Sequence, residues 1–483
     1  MIIPFGPFEP DKSPFSSASP SVMNCLPVAD GWGPMPGLSV ISQSLGAECR
    51  GAFFVRSSTG TYTIIAMTET AAFRLDTTDY SWDDISGASA PYHLNLNDRW
   101  SFTVFGPKLV IHNISDPPQV YDIESGGVLT DLGGSPPQAK YSWVSGDFLV
   151  FGYLSGTNGE KTVQWSGLND IETWTAQVKG SDSQVLPEGD EIQGGFGQTG
   201  GFIVVNRNAM HYFSFSPGSG YTFTRTSVNP KQGCIAPYSI VPIGQDRFFY
   251  LSEDGFFEGV NRRPIGAERV DRWFLGQIDM TYLQDVQGAA DPFEKIVWWK
   301  FRTQNGDYKR LGYDWQLDRW CTSDLQIGEL VALATPGLSW DGLATLYASI
   351  DEVTEPFDSR VFLGGRPTMA TFTTENKLAF FSGSNLEATL ETGQIQPFQT
   401  SRAFCNQVRV ITDASGYNVT DTTYAVHGDT APVTSSTTTP ARGGACPLRS
   451  DGRLHKLKMS VPEGATWSII TSLDANFVES GEL

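Results

Sequence analysis

One glycine run has nucleotide-binding spacing, Gly195-Phe196-Gly197-Gln198-Thr199-Gly200. Such a fingerprint works only between a strand and a helix N-terminus, whose free amides hold the pyrophosphate. Here Gly201-Phe202-Ile203-Val204-Val205 follows and reads as a strand, so no dinucleotide is expected. There is no Gly-Lys dipeptide for a phosphate loop, no His-Glu-x-x-His and no Gly-x-Ser-x-Gly elbow. The five histidines, His93, His112, His211, His427 and His455, stand apart without ligand spacing.

The carboxylates are equally uninformative. Asp83-Asp84 and Asp351-Glu352 could serve glycoside hydrolysis only if two acids faced one sugar about 5–9 Å apart, and as sequence neighbours they read as solvated loops. Ser252-Glu253-Asp254-Gly255-Phe256-Phe257 approaches the aspartate-box hairpin of sialidases but lacks a residue between Asp254 and Gly255, which leaves Asp254 as a turn residue. Trp298, Trp299 and Trp315 could stack sugars or fill a core. The expectation is a protein with no catalytic residue, no metal and no cofactor.

Basic residues are scarce, so their clusters stand out. One is Arg262, Arg263, Arg269 and Arg272; the other is Arg449, Arg453, His455, Lys456 and Lys458. On a strand, Arg453 and His455 would face one way and Lys456 with Lys458 the other. Both clusters are candidates for subunit-interface ion pairs, and the second also for a phosphate-facing ring in an oligomeric channel.

Lys plus Arg number 33 against 53 Asp plus Glu, a formal charge of -20. Tight wrapping of nucleic acid needs clustered cations that release counterions, so any contact with DNA should be local or brief. Charged residues make up 18%, below the usual ~25%, while 50 glycines and 29 prolines make turns dense. No apolar run is long enough to span a bilayer and no secretion signal is readable, so a soluble chain made in a cytosol is expected. The six cysteines are scattered without a Cys-x-x-Cys pair and read as free, buried thiols.

Residues 1–46 carry eight prolines and read as an extended arm that does not ladder into a sheet. From Gly51 onward short β-branched or apolar runs alternate with turn residues, as in Tyr62–Met67, Ala72–Leu75 and Phe148–Phe151. A faint repeat joins them. Asp76 precedes Trp82, and Asp314 precedes Trp320, by the same six residues; Asp122 and Asn169 are weaker copies. Asp76, Asp122 and Asn169 are spaced at about 46 residues, the scale of one propeller blade, and further steps land near Ser216-Pro217-Gly218 and Asn261. The pattern predicts an all-β chain: an arm (1–46), a β-propeller of about six or seven blades (47–375) and a C-terminal β-sandwich (376–483). Two or three separate sandwiches are the alternative. Pro264–Phe274 predicts a short amphipathic helix with Val270, Trp273 and Phe274 on one side and a Glu268–Arg272 pair on the other. The Ser/Thr run Val433–Thr439 reads as a loop tip, and Ala431–Ala441, or the tip before Arg449, as a channel constriction.

Several stretches together resemble the tail nozzle, or packaged-DNA stabilisation, proteins of short-tailed bacteriophages. They are Phe8–Asp11, Arg50–Phe54, Pro117–Asp122, Leu132–Ala139, Gln164–Asp170, Ile235–Val241, Pro264–Asp271, Leu390–Gly393 and Gly452–His455. None is diagnostic alone, and together they cover nearly the full length. The resemblance implies a structural virion protein of the tail, assembled in the host cytoplasm and not an enzyme. It implies a homo-oligomeric ring, usually a hexamer, that meets the portal–adaptor ring above and tail fibres or distal tail proteins below. Such a ring retains the packaged genome and passes it through the lumen without tight binding or membrane insertion. A glycosidase or receptor-binding adhesin acting on host surface polysaccharide is the alternative.

Overall fold

The computed structural model describes residues 1–482 apart from 219, 245–246, 335–348, 350–366, 427–430 and 442. Asp351, Glu352 and His427 lie outside the described residues. Among the described residues, Gly51–Asn385 together with one strand from before Gly51 build seven four-stranded antiparallel sheets in succession. Sheet 1 is typical, with strands Gly51–Arg56, Tyr62–Met67, Ala72–Leu75 and Trp82–Asp84. The first strands of sheets 2–7 are Ser101–Phe105, Ala139–Ser145, Ile192–Gln198, Val241–Ile243, Gln287–Asp291 and Leu330–Ala334. Each of sheets 1–6 uses four consecutive strands. The repeat read from sequence has a structural counterpart, because Asp76, Asp122, Asn169, Ser216–Gly218, Asn261 and Asp314 all fall at the link from third to fourth strand. Asp76 Oδ1 there accepts the Thr78 amide at 2.7 Å, and Asp314 Oδ1 accepts those of Gln316 and Leu317 at 2.8 Å. The aspartate is kept by turn chemistry.

First strands touch in chain order, sheets 4 and 5 meeting through the 3-10 turn Pro237–Ser239, and the first strand of sheet 7 touches that of sheet 1. Large rings fill the gaps between neighbouring sheets. Phe53 stacks on Phe102 at 5.7 Å, and tilted rings meet at His112–Phe151 (4.7 Å), Phe196–Phe248 (4.6 Å) and Phe256–Trp299 (4.6 Å). The glycine run belongs to this packing. A Cβ at Gly195 would lie 2.6 Å from the Trp143 ring, and one at Gly197 2.1 Å from the Val144 carbonyl oxygen. Ile192–Gln198 therefore approaches Ala139–Ser145 because it has no side chains there. A hairpin, not a helix, follows at Thr199-Gly200.

The expectation that residues 1–46 avoid sheets is corrected. Pro36–Ser44 is the fourth strand of sheet 7, beside Lys377–Asn385, which itself lies past the expected boundary at 375. Ile2–Pro4, Cys25–Val28 and Gly31–Pro34 join a six-stranded sheet with Ser401–Thr412, Ala445–Gly452 and Ile470–Glu482. Ser21–Met23 edges a five-stranded sheet with Ala388–Glu391, Leu454–Val461, Asn418–Tyr424 and Thr434–Thr438. The prolines are tolerated because they sit on edge strands or at strand ends, where a missing N–H faces no partner. Thr434–Thr438 also corrects the Ser/Thr loop tip: it pairs with Asn418–Tyr424, so the middle of the proposed Ala431–Ala441 constriction is sheet.

The predicted helix begins later than expected. Helix α1 spans Asp271–Gln277. Glu268 lies outside it in the left-handed region at φ 59°, so the Glu268–Arg272 pair is not formed on one helical face. The Gly266 carbonyl accepts the amides of Arg269, Val270 and Asp271, which turns the chain before the helix starts. Asp11 of the arm caps it, accepting the Arg272 and Trp273 amides at 2.8 Å each. Val270 and Phe274 are buried, and Trp273 meets Phe8 edge-on at 5.4 Å. No helix among the described residues is long and apolar enough to cross a membrane.

Ile41, 1% exposed, faces the core between sheets 7 and 1. Ile41→Ala is expected to cost about 2–5 kcal/mol in denaturant unfolding. An arm merely lying on the surface would lose less than about 0.5 kcal/mol.

Candidate functional site

The starts of the seven first strands converge on one cavity of about 390 Å³, lined by residues from all seven sheets or the links entering them. Residues just before or at the start of a first strand therefore line this cavity. Arg99, Lys140, Gln193, Gln287 and Glu329 all occupy such positions.

Glu329 is the hub of this cluster. Its Oε2 accepts both from Arg99 Nη1 and from Gln287 Nε2, and the Gln287 carbonyl oxygen Oε1 in turn accepts the Leu330 amide at 3.1 Å. The Arg99 guanidinium lies 5.4 Å over the Tyr238 ring, and the Tyr238 hydroxyl accepts the Arg99 amide at 3.0 Å. Lys140 Nζ donates to Asp98 Oδ1 at 2.7 Å and stands 4.6 Å from the Tyr153 ring centre. Arg50 fixes the loop that carries Asp98, donating to the carbonyls of Leu96 and Asp98. Behind the cavity Lys300 Nζ donates to the Gly328 carbonyl at 2.6 Å; burial, with the Arg99 charge added, pushes its ammonium down to about 8. The carboxylates here are tied to cations. The arrangement favours holding something charged and polar over transferring protons.

The sequence-predicted basic residues are dispersed by comparison. Arg262 stands 3.6 Å from Asp254 and lies over Phe257; Arg263 pairs with Glu258 at 3.2 Å. Arg269 bridges Glu9 at 3.0 Å and Asp318 at 2.9 Å. These three therefore have partners within the chain, and Arg272 is exposed. Arg449 is exposed and Arg453 half-buried at the turn before Leu454–Val461. Along that strand the predicted alternation holds for three residues. His455 points inward, while Lys456 and Lys458 share Glu391 at 2.5 and 3.9 Å. His455 has no exposed surface: its Nδ1 meets Asp421 Oδ2 at 2.7 Å and its Nε2 the Ala403 carbonyl at 3.0 Å, and Ser450 also donates to Asp421. Asp421 and His455 belong to the five-stranded sheet, Ala403 and Ser450 to the six-stranded one. This polar knot locks the two sheets face to face, so His455 cannot line a channel.

The remaining motifs are structural. Asp254 sits in a hairpin before Gly255, Trp298 and Trp299 are buried, and Trp299 Nε1 donates to the Ser239 carbonyl at 2.9 Å. All six cysteines are free and buried, with burial pushing the Cys234 thiol up to about 11. Among the described residues no three His, Cys, Asp or Glu side chains could hold a metal. Sequence reading missed Arg99, Lys140, Gln287 and Glu329. Their only signal was position just before or at the start of a first strand, invisible until the sheet boundaries are known. No family model matches the chain, and no curated protein is significantly similar to it in sequence.

Two outcomes test these assignments. Arg99→Met should cost about 3–5 kcal/mol, and Arg99→Met with Glu329→Gln, which keeps an acceptor for Gln287, should recover more than half in a denaturant double-mutant cycle. Asp271, buried beneath Gly255 and Gly266, is raised to about 7 by burial, despite the Phe256 amide it accepts, with Asp11 and Asp254 adding to the rise. The folded chain then holds this proton where the unfolded chain has released it. Its stabilising contribution is full below about pH 4 and is lost as pH rises towards about 7. Wild type should lose melting temperature relative to Asp271→Asn between about pH 5 and about pH 8; a constant difference would refute the assignment.

Proposed function

We propose that the seven sheets are the blades of one β-propeller, closed where Pro36–Ser44 joins the last sheet, and that copies of this chain assemble side by side into the ring of a bacteriophage tail nozzle. The blade reading is supported by the succession of first-strand contacts, carried between sheets 4 and 5 by the Pro237–Ser239 turn, and by the period-like placement of Asp76, Asp122 and Asp314. A four-stranded sheet apolar on both faces needs a neighbour on each side, and a circle supplies one to every sheet.

The observation that carries the nozzle reading is how the stretches resembling that family meet in space. Phe8–Asp11 and Pro264–Asp271, about 250 residues apart, are joined by the Glu9–Arg269 ion pair and by the Asp11 amide donating to the Arg269 carbonyl at 3.0 Å. Leu390–Gly393 and the strand that follows Gly452–His455 are paired neighbours. Arg50–Phe54 and Ile235–Val241 both contribute to the central cavity. These stretches of the resemblance thus take part in contacts that build the fold.

In this reading DNA does not pass along the axis of a single subunit, where Arg99, Glu329, Gln287 and Tyr238 line a cavity of only about 390 Å³. It passes through the lumen that the subunits enclose together. Six copies carry a formal charge of about -120, which repels a polyanion and keeps it mobile. Mixing the purified chain with portal–adaptor complexes and imaging the products tests the reading. Rings capping the adaptor are expected; a chain that remains single and ignores the portal refutes it.

A further inference from the structure

The central cavity has the composition of a ligand site. Its 390 Å³ lies within the range of small-molecule sites and matches the liquid volume of roughly a dozen waters. Among the described residues the charged ones lining it are Arg99, Lys140 and Glu329; Arg99 is paired with Glu329, and Lys140 with Asp98 just behind the wall. Both cations have donors to spare. A guanidinium has five N–H groups and an ammonium three, yet among the described residues Arg99 gives one side-chain hydrogen bond, to Glu329, and Lys140 one, to Asp98. Around them stand neutral hydrogen-bonding groups. The Ser142 hydroxyl lies 3.2 Å from that of Ser101 and 2.6 Å from that of Thr103. The walls are aromatic, with Tyr141 and Tyr238 meeting at 6.4 Å and 65°.

We propose that this cavity binds a small polyhydroxylated anion, a carboxylated sugar of monosaccharide size. Its carboxylate would take the spare donors of Arg99 and Lys140, its hydroxyls would exchange hydrogen bonds with Ser101 and Ser142, and a tyrosine would cover one face of its ring. A neutral sugar offers no charge to the surplus N–H donors that Arg99 and Lys140 keep beyond their ion pairs with Glu329 and Asp98, and a bare anion leaves the hydroxyls and aromatic wall unused. Charge-assisted bonds to a carboxylate are roughly twice as strong as neutral ones, so the acid should be preferred over its neutral counterpart.

The full chain is titrated with glucuronate, glucose and inorganic phosphate, with saturation-transfer NMR reporting ligand contact and calorimetry reporting affinity. Glucuronate should bind with Kd near or below about 1 mM, at least about tenfold tighter than glucose or phosphate. Lys140→Gln should weaken glucuronate about tenfold and leave glucose unchanged. If that variant loses its cooperative melt, the wild-type glucuronate-to-glucose ratio decides. Equal binding of glucose, full reproduction of the effect by phosphate, or no binding of glucuronate up to about 100 mM overturns the proposal. None of these outcomes depends on ring assembly.

Discussion

A four-stranded sheet that is apolar on both faces has no stable existence alone, and this fold answers that constraint repeatedly. Trp143 and Phe202 bridge sheets 3 and 4, Phe196 and Phe248 bridge 4 and 5, and Trp82 and Phe372 bridge 1 and 7. Each such pair adds about 0.5–1.5 kcal/mol beyond the area it buries. Stability is thus shared between neighbouring sheets, and the polar starts of the first strands are left to line one cavity.

The N-terminal segment converts this succession into a single body. Pro36–Ser44 completes sheet 7, Ser21–Met23 and Cys25–Pro34 extend the two facing sheets, and Asn24 ties both to sheet 6, its Nδ2 donating to Asp324 at 2.8 Å and to the Glu387 carbonyl at 2.9 Å. Arg319 of sheet 6 reaches the Val28 carbonyl at 2.7 Å and lies over Trp32. Segments from opposite ends of the chain thus share sheets. Their contacts are non-local, which raises the contact order of the fold.

The strands were legible wherever local chemistry fixed them. Tyr62–Met67, Ala72–Leu75 and Leu454–Val461 fall where alternation and turn residues put them, and Asp76, Asp122 and Asp314 announce the hairpins because a carboxylate that accepts turn amides is a local requirement. The arm was misread because proline excludes only a central, donating strand position, and which strand lies at an edge is decided by tertiary pairing. The hub was illegible for the same reason. Arg99 and Glu329, 230 residues apart, meet only once the sheets are arranged, while the conspicuous Arg262–Arg272 cluster is largely consumed by ion pairs within the chain.

The central claim is that a subunit of this shape, acidic and sparing in surface charge, exists to close a ring with its own copies. Native mass spectrometry of the purified chain tests it most directly. The account predicts a closed oligomer, with about six times the 52.8 kDa subunit mass as the expected species. A single species at the subunit mass, unchanged as concentration is raised and portal–adaptor complex is added, would contradict it.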